Sequence, residues 1–307
     1  MIDIHSHTIY SDGSSNVEEL LNEAQKVGLS LLSITDHNTI EAYSELQNPN
    51  IRNKFDGQII HGIEITTTYN GETIEVLGYG FDLEIMQQFL NNNVLTFEEK
   101  QLKEYELIKN QYKKIGVIFD ENSIQFDPKL ESCRPAFAVE IKRHPENYKF
   151  FLNQESIKTD SGFTRNEVYN PKSLLYVDES SLFPSLAKAI EIHKSGGLAF
   201  LAHTFAYSPN IANDLLNIIT NYELDGVECF YTTFTKEQSD YLVKVCEEKG
   251  MYMSGGSDFH GTRKINHNLG IGHGNLCIDE NIVKDWIHRY LPDFDDSKYK
   301  NKSIVDR

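Results

Sequence analysis

Two histidines separated by one residue, His5 and His7, follow a short apolar run at the start of the chain. In an extended segment, side chains two residues apart leave the same face, so both imidazoles can reach one ion. Other short apolar runs are also followed by histidines or carboxylates, namely Asp12, His37, Glu64, His203, Asp258 and His260. Imidazole with carboxylate and without thiolate suits Zn²⁺, Mn²⁺ or Fe²⁺ in a catalytic site. The pattern therefore predicts a catalytic metal centre.

The apolar runs before these residues have the length and β-branched content of buried strands. Helical patterns lie between most of the runs, at residues 17–26, 183–194, 212–222 and 236–249. Strand alternating with helix predicts a parallel α/β fold. If the strands close into a barrel, the residues at their carboxyl ends all meet on one face, where such barrels hold their active sites.

The alternation stops in the middle of the chain. Asn70-Gly71 lies between two β-rich arms and predicts a hairpin. Residues 83–182 are then charged and helical in pattern, without the strand-end histidines, which predicts an inserted, mainly helical subdomain. We therefore divide the chain into a first barrel segment at 1–82, the insertion at 83–182, a second barrel segment at 183–291 and a polar C-terminal tail at 292–307.

Charge, cysteine content and hydropathy disfavour a duplex-binding protein and a membrane protein. The chain has 29 Lys and Arg against 46 Asp and Glu, a formal net charge of −17, which disfavours stable binding to duplex nucleic acid. Four scattered cysteines and a start without a signal-peptide pattern are typical of a cytoplasmic protein. No apolar stretch is long enough to predict a membrane helix. The sequence leaves the oligomeric state open.

Taken in order, the motifs resemble those of the PHP (polymerase and histidinol phosphatase) family. They are His5-x-His7 with Ser11-Asp12-Gly13, Thr35-Asp36-His37, Gly62-Ile63-Glu64, Ala202-His203 and Gly256-Ser257-Asp258-Phe259-His260. Within the family, the residues are most similar to stand-alone phosphoesterases that act on small nucleotides and carry a helical insertion. The resemblance implies a distorted (βα)₇ TIM-like barrel that binds two or three divalent metal ions, Mn²⁺, Zn²⁺ or Fe²⁺.

The resemblance also implies which side chains hold each ion. The implied ligands are His5, His7, Glu64 and Asp258 for the first ion, Asp12, His37 and His260 for the second, and Glu64, His203 and Glu75 for the third. Glu75 stands where relatives usually have a histidine, which shifts the third site toward Mn²⁺ or Mg²⁺. Glu64, Asp258 and His260 are predicted to be catalytic.

The ligand types predict the reaction. A hydroxide shared by two divalent ions is a strong nucleophile at neutral pH, and the ions offset charge on phosphoryl oxygens. We predict a metal-dependent phosphoesterase in which a metal-bridging hydroxide attacks a small phosphorylated substrate, with a nucleotide mono- or bisphosphate as first choice. The alternatives are a histidinol-phosphate or sugar-phosphate phosphatase, an amidohydrolase-type metallohydrolase and a metal-stabilised, non-catalytic PHP module.

Three basic residues are candidates for substrate binding. Arg134, at a predicted helix start in the insertion, is the first choice because a guanidinium matches phosphate oxygens bidentately. Arg263 and Lys264 follow the last predicted ligands and are further candidates. Ala136 stands where relatives have a histidine near the substrate. Asp36 is predicted to orient a neighbouring histidine.

Overall fold

The computed structural model describes residues 1–153, 156 and 158–295. The chain divides into two compact units, the first formed by residues 1–93 and the chain from residue 185 onward, the second by residues 94–184. The sequence places the ends of the insertion at residues 83 and 182. Residues 296–307 of the predicted tail lie outside the described residues.

The first unit is built on one seven-stranded sheet in which the strands follow chain order. The strands are β1 (Ile2–Asp3), β2 (Leu31–Ile34), β3 (Gln58–Tyr69), β4 (Glu72–Tyr79), β5 (Leu198–Leu201), β6 (Gly226–Tyr231) and β7 (Tyr252–Gly256). Neighbouring strands pair in parallel except at β4, which is antiparallel to both β3 and β5. The predicted hairpin joins β3 to β4, and Asn70 (φ 50°) and Gly71 (φ 81°) adopt the left-handed backbone of its turn.

The sheet nearly closes between its first and last strands. The Ile4 N–H donates to the Gly255 carbonyl, and the His7 N–H to the Phe259 carbonyl. A Cβ on Gly256 would lie 2.4 Å from the Cβ of His5, so only glycine permits this approach. The predicted α/β, TIM-like barrel is therefore confirmed.

The helices are α1 (Val17–Val27), α2 (Ala42–Glu45), α3 (Pro49–Arg52), α4 (Leu83–Asn93), α5 (Phe97–Ile115), α6 (Cys133–Lys142), α7 (Asp160–Phe163), α8 (Leu186–Ala189), α9 (Pro209–Asn221) and α10 (Lys236–Lys249). Capping boxes begin α1, α5 and α10, because Asn16, Thr96 and Thr235 each cap the amide three residues on. The helical pattern at 183–194 folds as two short helical pieces. Ser185 caps the four-residue α8, and the chain then tightens into a 3₁₀ helix at Ile190–Ser195 that ends at left-handed Gly196.

Each unit has its own apolar core. In the first unit, Ile2, Ile4, Tyr79, Phe200 and Trp286 belong to a buried cluster that includes residues of the strands. The second unit packs α5 and α6 around a separate cluster, which includes Tyr112, Phe137, Ile141 and Phe163. Among the described residues, no helix is long and apolar enough to cross a membrane.

Candidate metal centre

The predicted ligands of the first unit lie at the carboxyl ends of its strands or on the hairpin arm. The positions are His5 and His7 after β1, His37 after β2, Glu64 in β3, Glu75 in β4, His203 after β5, and Asp258 and His260 after β7. Asp12 lies on the loop between β1 and α1. Because the parallel strands point the same way, these separate stretches of sequence converge at one end of the barrel.

A first group consists of four buried side chains, His5, His7, Glu64 and Asp258. Glu64 Oε2 lies 3.2 Å from His5 Nε2 and 3.1 Å from His7 Nε2. Asp258 Oδ1 lies 3.5 Å and 3.2 Å from the same two nitrogens. The four donor atoms thus surround one point, in the combination that the sequence proposes for the first ion.

A second group contains His7, Asp12, His37 and His260. Asp12 Oδ1 lies 3.0 Å from His260 Nε2 and 3.8 Å from His37 Nε2. The Asp12 side chain is half exposed, whereas His7 and His260 are buried. His7 adds to the trio proposed from the sequence and lies between the two groups.

A third group brings His37 and Glu64 together with Glu75. His37 Nδ1 lies 3.3 Å from Glu64 Oε2 and 3.4 Å from Glu75 Oε1. His203 Nε2 lies beside both carboxylates, at 3.0 Å from Glu64 Oε1 and 3.2 Å from Glu75 Oε2. Glu64 therefore belongs to two groups and uses both of its oxygens.

The donor set fits divalent cations. His7 Nε2, His37 Nδ1 and His260 Nε2 are buried without a hydrogen-bond partner among the described residues. Burial raises the pKa of Glu64 and Asp258, but nearby histidines outweigh it and hold both pKa values well below the ordinary range. Ionised carboxylates and buried imidazole lone pairs at one place are the ligands that Mn²⁺, Zn²⁺ and Fe²⁺ prefer.

The comparisons with known proteins agree with this geometry. The PHP domain model matches residues 3–253, which is most of the chain. The chain belongs to the PHP family. A 5'-3' exoribonuclease from Haemophilus influenzae is 27% identical over 263 residues, covering 84% of this chain and 89% of that protein. A 3',5'-nucleoside bisphosphate phosphatase from Chromobacterium violaceum is 23% identical, covering 87% and 90%.

A solved structure shares the fold of this PHP protein. It is a Bifidobacterium adolescentis protein that has been proposed to be a metal-dependent phosphoesterase. The TM-score is 0.63 at 22% identity, covering 94% of this chain and 96% of the other. The predicted family is therefore confirmed, and with it the general class of metal-dependent phosphoric ester hydrolases.

Glu228 contacts two of the predicted ligands, His5 and His203, a role that the sequence did not reveal. Its Oε1 lies 2.8 Å from His5 Nδ1, and its Oε2 accepts the His203 backbone N–H at 2.8 Å. A carboxylate on the second ring nitrogen fixes the tautomer of a histidine and presents its other nitrogen to the metal. The available signal was its position in β6, where it follows the same short apolar pattern as the ligands.

Asp258 is fixed by several contacts. Its Oδ2 accepts hydrogen bonds from the Tyr231 hydroxyl at 2.7 Å and from Lys264 Nζ at 2.6 Å, which leaves Oδ1 facing the histidines. Its φ of 54° is left-handed, a strained conformation for a residue other than glycine. The Asp258 N–H donates to the His5 carbonyl, which links the strained residue to another predicted ligand of the first group.

Two further aspartates hold the loops that carry predicted ligands. Buried Asp3 accepts the backbone N–H groups of Ser257 at 3.0 Å and Gly270 at 2.6 Å. Asp36 accepts from the Thr8 amide, the Thr8 hydroxyl and the Ser11 hydroxyl. The sequence predicts that Asp36 orients a neighbouring histidine. The contacts of Asp36 instead fix the loop that follows His7.

The candidate substrate-binding residues lie in both units. Lys264 contacts Asp258, and Arg263 Nη1 donates to the Asp12 carbonyl at 3.3 Å. Arg134 lies in the second unit at the start of α6. There it pairs with Glu104 and Glu179, and its guanidinium carbon lies 4.3 Å from the centre of the Tyr169 ring.

Proposed function

We propose that this PHP protein hydrolyses the phosphate ester of a small nucleotide, either a nucleoside bisphosphate or the terminal nucleotide of a short oligoribonucleotide. The observation that carries the proposal is the convergence of three ligand groups, each pair of which has one residue in common. His7 joins the first and second groups, Glu64 the first and third, and His37 the second and third. Sharing puts the groups side by side, as a multinuclear phosphoesterase requires. The activities of the exoribonuclease and the bisphosphate phosphatase named above support the choice of a nucleotide.

Two or three divalent ions would supply an activated water and neutralise charge on the phosphoryl oxygens when bound. The first ion would be held by His5, His7, Glu64 and Asp258, and the others by the second and third groups. Glu228 and Tyr231 keep His5 and Asp258 oriented before substrate arrives. Orientation set by the protein removes the need to rearrange ligands during the reaction.

Basic side chains would orient the ester. Lys264 lies beside Asp258 and is partly exposed, so it can reach a phosphate oxygen next to the ions. Arg134, in the second unit, remains a candidate for binding a phosphate group there, because stacking on Tyr169 and pairing with Glu104 hold its planar fork in one orientation. The net charge of −17 supports a short substrate instead of a duplex, since a duplex needs an extended basic face.

A substrate screen tests the proposal. Phosphate or nucleotide release is measured with Mn²⁺, Zn²⁺ or Fe²⁺ on adenosine 3′,5′-bisphosphate, AMP, a 5′-phosphorylated tetraribonucleotide, ribose 5-phosphate and histidinol phosphate. We expect the bisphosphate or the tetranucleotide to give the highest kcat/KM. A preference for ribose 5-phosphate or histidinol phosphate would refute the nucleotide assignment, and no release from any ester would support a non-catalytic module.

Glu75 offers a test of the third ion. If Glu75 is a ligand, Glu75→His should keep the fold and shift the metal preference of phosphate release toward Zn²⁺ or Fe²⁺, because imidazole is softer than carboxylate. Glu75→Ala should lower the affinity for the third ion and leave binding of the other ions unchanged. Titration of parent and variants with Mn²⁺ and Zn²⁺ measures the preference, with Glu72→Ala on the same strand as control. Identical titration curves for parent, His and Ala forms would remove Glu75 from the ligand set.

A further inference from the structure

Residues 261–274 form a loop whose charge differs from that of the rest of the chain. We call this segment, GTRKINHNLGIGHG, the basic loop. It contains Arg263, Lys264, His267 and His273 and no Asp or Glu, although the whole chain carries 17 more acidic than basic residues. The loop directly follows Asp258 and His260, so its positive charge is placed at the metal centre.

The basic loop has a defined shape. The Thr262 N–H donates to Ser14 Oγ at 2.8 Å, and the Gly270 N–H donates to Asp3 Oδ2 at 2.6 Å. Around the second anchor, Asn268 and Gly272 exchange backbone hydrogen bonds of 3.0 Å and 2.8 Å. The cationic side chains are therefore displayed from a backbone that is already fixed, which lowers the entropy cost of binding an anion.

The two strong cations of the basic loop differ in their partners. Lys264 Nζ lies 2.6 Å from Asp258 Oδ2, so a carboxylate already balances its charge. Arg263 is exposed, and the hydrogen bond that it makes within the described chain goes to the uncharged Asp12 carbonyl. No carboxylate of the described residues pairs with it. Arg263 is thus an uncompensated guanidinium beside the second ligand group.

We infer that Arg263 binds a second anionic group of the substrate, next to the phosphate that is cleaved. The divalent ions, with Lys264 beside them, would neutralise the cleaved phosphate, so that phosphate does not need Arg263 as well. A nucleoside bisphosphate, or the next phosphodiester of an oligonucleotide, carries another charge that matches the planar fork of arginine. This inference rests on the proposed function and gives Arg263 a substrate-binding role at the edge of the same site.

The test compares substrates that differ by one phosphate. With Mn²⁺, Arg263→Met should raise the KM for adenosine 3′,5′-bisphosphate about tenfold, the scale of one exposed charge-assisted contact, and change the KM for AMP and p-nitrophenyl phosphate less than about twofold. Arg263→Lys should fall between parent and Met. Lys244→Met, which removes an exposed cation from α10, is the control and should change none of these values.

A binding measurement separates this inference from the proposed function. Calorimetric titration in chelator should show that the parent binds the bisphosphate more tightly than AMP and that Arg263→Met removes the difference. Equal effects on all three substrates, or no effect, would overturn the inference while leaving phosphate release intact. If the parent protein hydrolyses none of the three substrates, the proposed function fails. In that case the binding measurement still tests the inference, and equal affinity of the parent for the bisphosphate and AMP would overturn it.

Discussion

Replacing Asp258 with asparagine is expected to lower phosphate release at least about a hundredfold, the scale of removing a positioned catalytic group. Asp258 Oδ1 lies within 3.5 Å of ring nitrogens from His5, His7 and His260, so the substitution removes negative charge at the first ligand group. Although burial alone would raise the pKa of Asp258, His5, His7 and Lys264 hold it well below the ordinary range. The native group is therefore a carboxylate at neutral pH.

The asparagine keeps the shape of the side chain, so the fold should persist and the loss should appear in kcat and in bound metal. Phosphate release, elemental analysis of the metal and circular dichroism measure the three quantities on one preparation. Asp240→Asn on the exposed side of α10 is the matched control and should behave like the parent. Activity within threefold of the parent would show that the Asp258 carboxylate takes no part in the reaction.

The positions of the proposed ligands could be predicted because each depends on a local pattern. A short apolar run followed by a histidine or carboxylate places that residue at a strand end, and parallel topology then assigns all such ends to one face. The pattern worked for His5, His203 and Asp258, which the structure brings to the same end of the barrel although they lie far apart in sequence. These residues lie close together because parallel strands place their carboxyl ends on the same face of the barrel.

The local pattern does not assign ligands to individual groups, and the family resemblance supplied those assignments. The resemblance missed that His7 and His37 each take part in two groups, because this depends on the positions of the two rings, which sequence spacing does not encode. Asp3 and Glu228 were missed for another reason. A buried carboxylate in a strand has the same sequence signal whether it faces an ion or a backbone amide, and only the hydrogen bonds of Asp3 and Glu228 distinguish the two.

The helical pattern at 183–194 shows that periodicity does not distinguish an α-helix from a 3₁₀ helix. Its apolar spacing is that of an amphipathic helix, and the structure does bury Leu186, Ala189 and Ile192. The same three side chains can face the core from a short α-helix followed by a 3₁₀ segment. Apolar spacing indicates which side of the segment is buried, but it does not determine the hydrogen-bond pattern of the backbone. The Ser195-Gly196-Gly197 end then favours the tighter winding before β5.

Removing the metal should abolish phosphate release and change how stability depends on pH. We expect at least two equivalents of divalent ion in the purified protein, and Mn²⁺ added after chelation should restore activity. In the metal-free protein, burial lowers the pKa of His7 and His203, but Glu64, with Asp258 for His7 and Glu75 for His203, raises the values to about 9 and about 10. These histidines are then protonated and substitute for the missing cations.

The sign of the pH effect follows from these raised pKa values. A histidine whose pKa is higher in the folded state adds stability that is complete below its unfolded pKa of roughly 6.5 and is lost as the pH rises through 9 to 10. The Tm of the metal-free protein should therefore fall between pH 6.5 and pH 9.5. Metal binding requires neutral imidazole, so the ions bind more tightly as the pH rises.

The difference in Tm between Mn²⁺-loaded and metal-free protein should consequently widen with pH across this range. Calorimetric scans at pH 6.5, 8 and 9.5, with and without Mn²⁺, measure it. His193→Gln is a suitable control, because His193 pairs with Asp225 away from the ligand groups and should leave the widening unchanged. A constant difference would mean that protons and metal ions do not compete at His7 and His203, and these two imidazoles would then have to be removed from the metal centre.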